Sequence, residues 1–222
     1  MTVARQGVVE DLEFERFVGR NARPGHPNGS AINAVRSNEI DFGNNGIWEL
    51  RQFALSETSG RLEPATLDLV PDRSFNNTST LASYINANQA AIIAETHTVP
   101  SVFNGQPFQA GAVFNNLSSW FAPGVDNNAR HHFALNTCNG CHSTQETGTF
   151  FLQIAPRFPG SEAGLSGFLT GITISDPVTF QSRTFNDLGR RNADLKAIVC
   201  AGSASQAAAS GTTLGKGISR VH

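Results

Sequence analysis

Residues 129–148 read ARHHFALNTCNGCHSTQETG, and at their centre Cys138, Cys141 and His142 form the spacing C-x-x-C-H. Two cysteines three positions apart sit on neighbouring turns of a helix, near enough to add to the two vinyl groups of one porphyrin. A histidine directly after the second can swing under the iron. The same residues also suit a small disulfide, a redox dithiol or part of a zinc site. With 3 cysteines and 6 histidines in 222 residues, about 0.001 accidental matches to this pattern are expected. From Asn128 onward the residues before the motif follow a helical pattern, which puts the motif at the end of a helix.

Spacing weighs the three readings. A structural zinc site wants four ligands, and the only other cysteine, Cys200 in LKAIVCAG, stands alone on an apolar helix face. It reads as a small buried hydrophobe, able to pair with Cys138 or Cys141 if no haem is bound. A redox C-x-x-C of the thioredoxin type opens a helix after a strand, whereas here the helical pattern comes first.

At NTCNGCH the chain resembles a c-type cytochrome, chiefly over residues 128–200. The resemblance implies one covalent haem c, with Cys138 and Cys141 as thioether positions and His142 as proximal iron ligand. It further implies that the backbone near Pro156, in QIAPRFPG, accepts a hydrogen bond from the proximal imidazole. Arg157, close after the motif, suits either a bidentate pair with a haem propionate or a place on the surface. Many such cytochromes use a methionine as second axial ligand, but the only methionine here is Met1. A histidine or an open site therefore takes the distal position. His97, in ETHTVPSVF, is the first choice because it lies outside the attachment helix; His222 is a weaker candidate. His131 and His132, on the attachment helix itself, are expected to be one solvated and one packed. Trp48, Trp120 and the phenylalanines fill the core or line a haem pocket.

A broader likeness runs through AVRSNEIDFGNNGIWELRQFAL, YINANQAAI, HTVP and FALNTCNGCH. These stretches are similar to the C-terminal regions of large uncharacterised exported bacterial proteins, so the chain is expected to be part of a larger exported assembly or precursor. Together the two resemblances imply a monohaem electron carrier, rather than a turnover enzyme, working with a redox partner protein in the periplasm, outside the cell or at its surface. Two alternatives stand beside this reading. One is an open distal face that binds a small ligand or reacts with peroxide, and the other is an exported binding or structural module whose C-x-x-C forms a disulfide.

Composition is compatible with this setting. A hydrophobic fraction of 39% over 222 residues supplies a core. The formal charge is −2, and no basic run exceeds Arg190-Arg191, so no nucleic-acid surface is expected. Lys196 and Lys216 are the only lysines, and Asn, Thr, Ser and Gly are abundant, as in many exported proteins. No stretch has the length of a membrane-spanning helix. The N-terminus lacks the apolar segment of a signal peptide, so export implies a leader already removed or a longer precursor. G-x-S-x-G, P-loop, H-E-x-x-H and G-x-G-x-x-G patterns are missing.

The expected fold is α+β. A β-containing N-terminal region, 1–125, packs on a mostly helical, cytochrome c-like region, 126–202, followed by a loose small-residue tail, 203–222. VVEDLEFERFVGR suggests a short helix ending near Gly19, before a Gly/Pro-rich loop that contains His26. Ile47–Leu55 and Leu62–Val70 suggest a hairpin. A helix capped by Thr78 or Ser79 carries Leu81, Tyr84, Ile85, Ile92 and Ile93. Residues 96–128 read as extended segments and loops. A short helix capped by Ser161 stops near Gly171, and a last one has Phe185, Leu188, Leu195, Ile198 and Val199 on one face.

Overall fold

The computed structural model describes residues 8–13, 34–41, 47–56, 58–114, 118–150, 152–193 and 195–196. Cys200, His26, His222, Met1 and the tail fall outside them. The chain is α+β. Strands β1 (Val8–Glu13), β2 (Ala34–Asp41), β3 (Ile47–Leu55) and β4 (Leu62–Ala65) form an antiparallel meander in that order. The expected hairpin is present with Leu55 opposite Leu62, but β4 ends at Ala65. Beyond it Leu69 takes a positive φ of 61°, and the chain bonds instead to the segment around Ala110: Leu67 N–H donates to Ala110, and Ala110 N–H to Val70. Strand β7 (Val113–Phe114) pairs with Glu49 and Leu50, on the part of β3 that β4 leaves open.

The expected helix at the N-terminus is a strand instead. Val8–Glu13 pairs with Arg36–Ile40 of β2, and an apolar pattern of mixed spacing takes the conformation its neighbour offers. β2 itself, AVRSNEID, is rich in polar residues and carries no strand signal of its own. Full register with β3, from Ala34 opposite Ala54 to Asp41 opposite Ile47, decides it.

Helix α1 (Ser79–Ala87) begins at Thr78, whose hydroxyl accepts from Leu81 N–H, and α2 (Gln89–Ile93) continues it after Asn88. Leu81, Tyr84, Ile85 and Ile92 are buried as their spacing requires, while Ile93 is exposed. Strands β5 (Val102–Phe103) and β6 (Gln106–Pro107) flank Asn104-Gly105. Both turn residues have positive φ, the conformation Asn-Gly adopts most readily in a two-residue hairpin.

Three consecutive capped turns follow. They are α3 (Asn127–Leu135, capped by Asp126), α4 (Cys138–Cys141, capped by Thr137) and α5 (Thr144–Thr147, capped by Ser143). The cysteine motif is therefore not the end of the long helix but a separate turn after it. Helix α6 (Gly167–Thr170) is capped by Ser166 rather than Ser161, and stops at Gly171 as expected. An unexpected hairpin, β8 (Ile172–Ser175) with β9 (Ser182–Phe185), follows. Of the last apolar face, Leu188 and Leu195 are exposed, and Phe185 lies in β9.

Two apolar clusters result. The larger joins Leu50, Leu67, Leu81, Tyr84, Phe108 and Trp120 to Ala129, Phe133 and Cys138, so residues before and after position 125 share one interior. The smaller holds Leu135, Cys141, Phe168 and Leu169, with Phe185 against them. No helix among the described residues is long and apolar enough to cross a membrane.

Candidate functional site

The turn that carries CNGCH is built by Thr137. Its hydroxyl donates to Ala134 O and accepts from Gly140 N–H, folding α4 back against the end of α3. A Cβ on Gly140 would stand 2.0 Å from Ala134 O, so the glycine inside the motif is required by the close approach of two backbones. Asn139 accepts from Trp120 Nε1 at 2.7 Å. Cys141 O accepts from Thr147 Oγ1 at 2.9 Å and Gln153 Nε2 at 3.1 Å. Every residue of the motif is thus tied to its surroundings by backbone or side chain.

Cys138 and Cys141, not bonded to each other, enter different interiors. Arg36 Nη1 lies 3.5 Å from Cys138 Sγ, while its Nε donates to Gln52 and its Nη2 to Asp68 O. Gln153 Nε2 lies 3.6 Å from Cys141 Sγ. His142 closes the turn as its C-cap. The two thiols and an imidazole directly after them are the donor set that covalent haem requires, and in that respect the residues fit. Their packing is closed: Cys138, Cys141 and His142 are exposed by only 3%, 0% and 5%. A porphyrin on these donors requires a different covering of the turn from the one described.

Of the other expected site residues, Pro156 and Arg157 are exposed, and Arg157 Nη1 donates to Ser161 O. Gln153, not the Pro156 segment, reaches the motif. His97 is buried at 6% exposure, packs 6.1 Å from the Phe133 ring, and has no hydrogen-bond partner on either nitrogen. Burial lowers its pKa to about 4, against the opposing pull of Glu95. An imidazole with two idle nitrogens against the Phe133 ring is costly.

Sequence reasoning missed the most polar part of the interior. Arg130 of α3 grips Glu146 of α5 through two contacts, Nη1 to Oε2 at 2.8 Å and Nη2 to Oε1 at 3.1 Å. It also bonds Trp120 O and Asn127, and reaches Asp176 at 3.5 Å. Glu146 accepts in addition from Ser119 Oγ and pairs with His131 Nδ1. Burial pushes the Glu146 carboxyl up, but His131 and Arg130 outweigh it and hold the group below the ordinary carboxylate range. Burial lowers His131 more than Glu146 raises it. Glu146 is therefore the anion, Arg130 its cation, and His131 a neutral ring that donates from Nδ1. Asp176 is likewise held low. Burial raises it, but the N–H groups of Thr179 and Val178, with Asn127 and Arg183, more than compensate.

Ligand atoms of His131, Glu146 and Asp176 lie within 4.8 Å of one another, a grouping able to hold a metal. Arg130 already stands between the two carboxylates and neutralises them, so the grouping reads as an ion-pair network. Beside it opens a pocket of about 490 Å³, lined by His131, His132, Leu135, Phe168, Phe185 and Arg183, among others. Leu135, Phe168 and Phe185 are also the residues that bury Cys141. No protein-family model matches the chain, and no curated protein or solved structure is similar to it.

Proposed function

We propose that CNGCH is the attachment site of one covalent haem c, and that the protein serves one-electron transfer to a redox partner protein in an exported setting. The observation that carries this reading is the spacing itself, two thiols and a following histidine on one helical turn, which chance supplies about once in a thousand such sequences. Cys138 and Cys141 would hold the group through thioethers and His142 would be its proximal ligand. The haem, when bound, supplies a ferric/ferrous couple whose potential follows axial ligation, burial and hydrogen bonding. Around it Thr137 and Gly140 set the turn, Gln153 anchors the Cys141 carbonyl, and Arg36 places a positive charge beside the Cys138 position. His97 remains the candidate distal ligand, because a buried imidazole without any partner has a lone pair to give.

A second reading has its own support. Each sulfur already faces a protein donor and is covered by its own apolar cluster, as expected of a binding or structural module without haem; closing the pair to a disulfide would require both sulfurs to turn toward each other. An absorption spectrum with acid-acetone extraction separates the two. A sharp Soret band that survives extraction, and that is lost or becomes extractable in Cys138→Ala/Cys141→Ala, supports covalent haem. A colourless protein, or a double variant that keeps its haem through extraction, refutes it. With haem present, ferrous carbon monoxide binding tests the distal side. Slow binding that accelerates in His97→Ala identifies the ligand, whereas fast binding in the unsubstituted protein points to an open face.

A further inference from the structure

His131 and His132 are consecutive, yet both line the same pocket of about 490 Å³. Their ring centroids are 5.9 Å apart. His131 pairs its Nδ1 with Glu146 Oε1, whereas His132 Nδ1, 3.6 Å from Glu95 Oε1, makes no hydrogen bond. Neither Nε2 has a protein partner, and neither is among the buried unsatisfied atoms, so both reach open space. With Nδ1–H donated to ionised Glu146, the Nε2 of His131 carries a lone pair.

An imidazole whose far nitrogen is oriented by a carboxylate is the usual form of a histidine that binds a transition metal. At a metal–nitrogen distance of about 2.0–2.1 Å, two rings on one ion lie about 5 to 6 Å apart between centroids, and the observed separation falls in that span. Ser182 and Thr184 line the same pocket and offer oxygen donors for the remaining positions. The two guanidiniums there do not present unopposed charge, since Arg183 is paired with Asp176 and Arg190 with Asp187.

We propose that His131 and His132 bind one divalent transition-metal ion of the imidazole-preferring type, through their Nε2 atoms, with Glu146 as the carboxylate that orients His131. This site is separate from Cys138, Cys141 and His142 and does not depend on haem.

The test is calorimetric titration of Zn2+ into the full chain carrying His26→Ala and His222→Ala, which removes two competing histidines. Zn2+ has no redox chemistry, so the titration reads the same whether or not haem is attached. One equivalent should bind. In His132→Ala, whose side chain is only a quarter exposed and whose fold is checked by circular dichroism, affinity should fall by at least about tenfold. His132→Gln, which keeps a polar side chain but removes the imidazole, should weaken it by about as much and provides the decisive readout if His132→Ala does not fold. The proposal is overturned if no saturable single equivalent binds, if the folded His132→Ala or His132→Gln protein binds as tightly as before, or if binding disappears instead in Cys138→Ala/Cys141→Ala.

Discussion

Cys138 and Cys141 stand three residues apart and look into interiors of different kinds. Around Cys138 a large apolar cluster, with aromatic rings packed edge to face (Tyr84 against Phe103 at 5.6 Å, Trp120 against Phe133 at 5.8 Å), is bordered by the buried Arg36 and Gln52. Around Cys141 the apolar cluster is small and borders a buried ionic network. Each region buries a histidine, and the contrast between them is instructive. His97, in the apolar interior, has no partner for either nitrogen; His131, beside the network, has Glu146. Desolvation lowers both, but only His131 is oriented, so only His131 presents a defined lone pair to a pocket. A carboxylate partner turns a buried histidine from a burden into a tool.

The largest expected effect breaks the ionic side of the contrast. Arg130→Ala removes the cation between Glu146 and Asp176 and leaves a fully buried carboxylate without its counter-charge. Stability measured by urea denaturation should drop by about 3–5 kcal/mol, and His131, no longer opposed by Arg130, should titrate at a higher pH by NMR.

The next largest falls on the apolar side. His97 has a pKa of about 4 in the folded chain and an ordinary value near 6.5 when unfolded. The unfolded chain therefore binds the extra proton first, and stability is full above about pH 6.5 and declines as pH falls toward about 4. The loss is on the order of 3 kcal/mol. His97→Leu should flatten most of that slope in denaturation measured across this window. His131 titrates in the same direction and should leave a residual slope. An unchanged pH profile in His97→Leu would show that His97 is not buried as described.

A smaller effect tests the joint between the two interiors. Gly140→Ala forces a methyl group into Ala134 O, and overpacking of this kind costs about 1–3 kcal/mol. Because Cys138 and Cys141 ride on the turn that must move, both thiols should react faster with a thiol-specific reagent than in the unsubstituted protein. The smallest effect is Thr137→Ala, which removes the α4 cap. A loss of about 1 kcal/mol is expected, with less thiol exposure than Gly140→Ala, since no atom is pushed into the turn.

Local chemistry made some elements legible. Thr78 as a cap, Leu81, Tyr84, Ile85 and Ile92 as a buried face, and the strand Ile47–Leu55 with its partner from Leu62 follow from periodicity and turn residues within a few positions of one another. The N-terminal strand, β2, and the hairpin β8–β9 were not legible, because each is held by pairing with a neighbour and its own residues do not choose a conformation. Position in the chain also misled. Ser161 and Ser166 are equally good caps by residue type, and only Ser166 N–H bonded to Gln153 O, with its hydroxyl accepting from Leu169 N–H, selects the second.

By itself the sequence determined the donor set Cys138, Cys141 and His142, its helical spacing and the α+β mixture, since these depend on residues close together along the chain. Tertiary structure alone decided that Arg36, 102 positions away from Cys138, stands beside it, that Gln153 rather than the Pro156 segment meets the motif, and that Arg130, His131 and Asp176 converge with Glu146. Charges separated by tens of residues carry no periodic signal. They find one another only when burial strips away water and leaves no other partner for each.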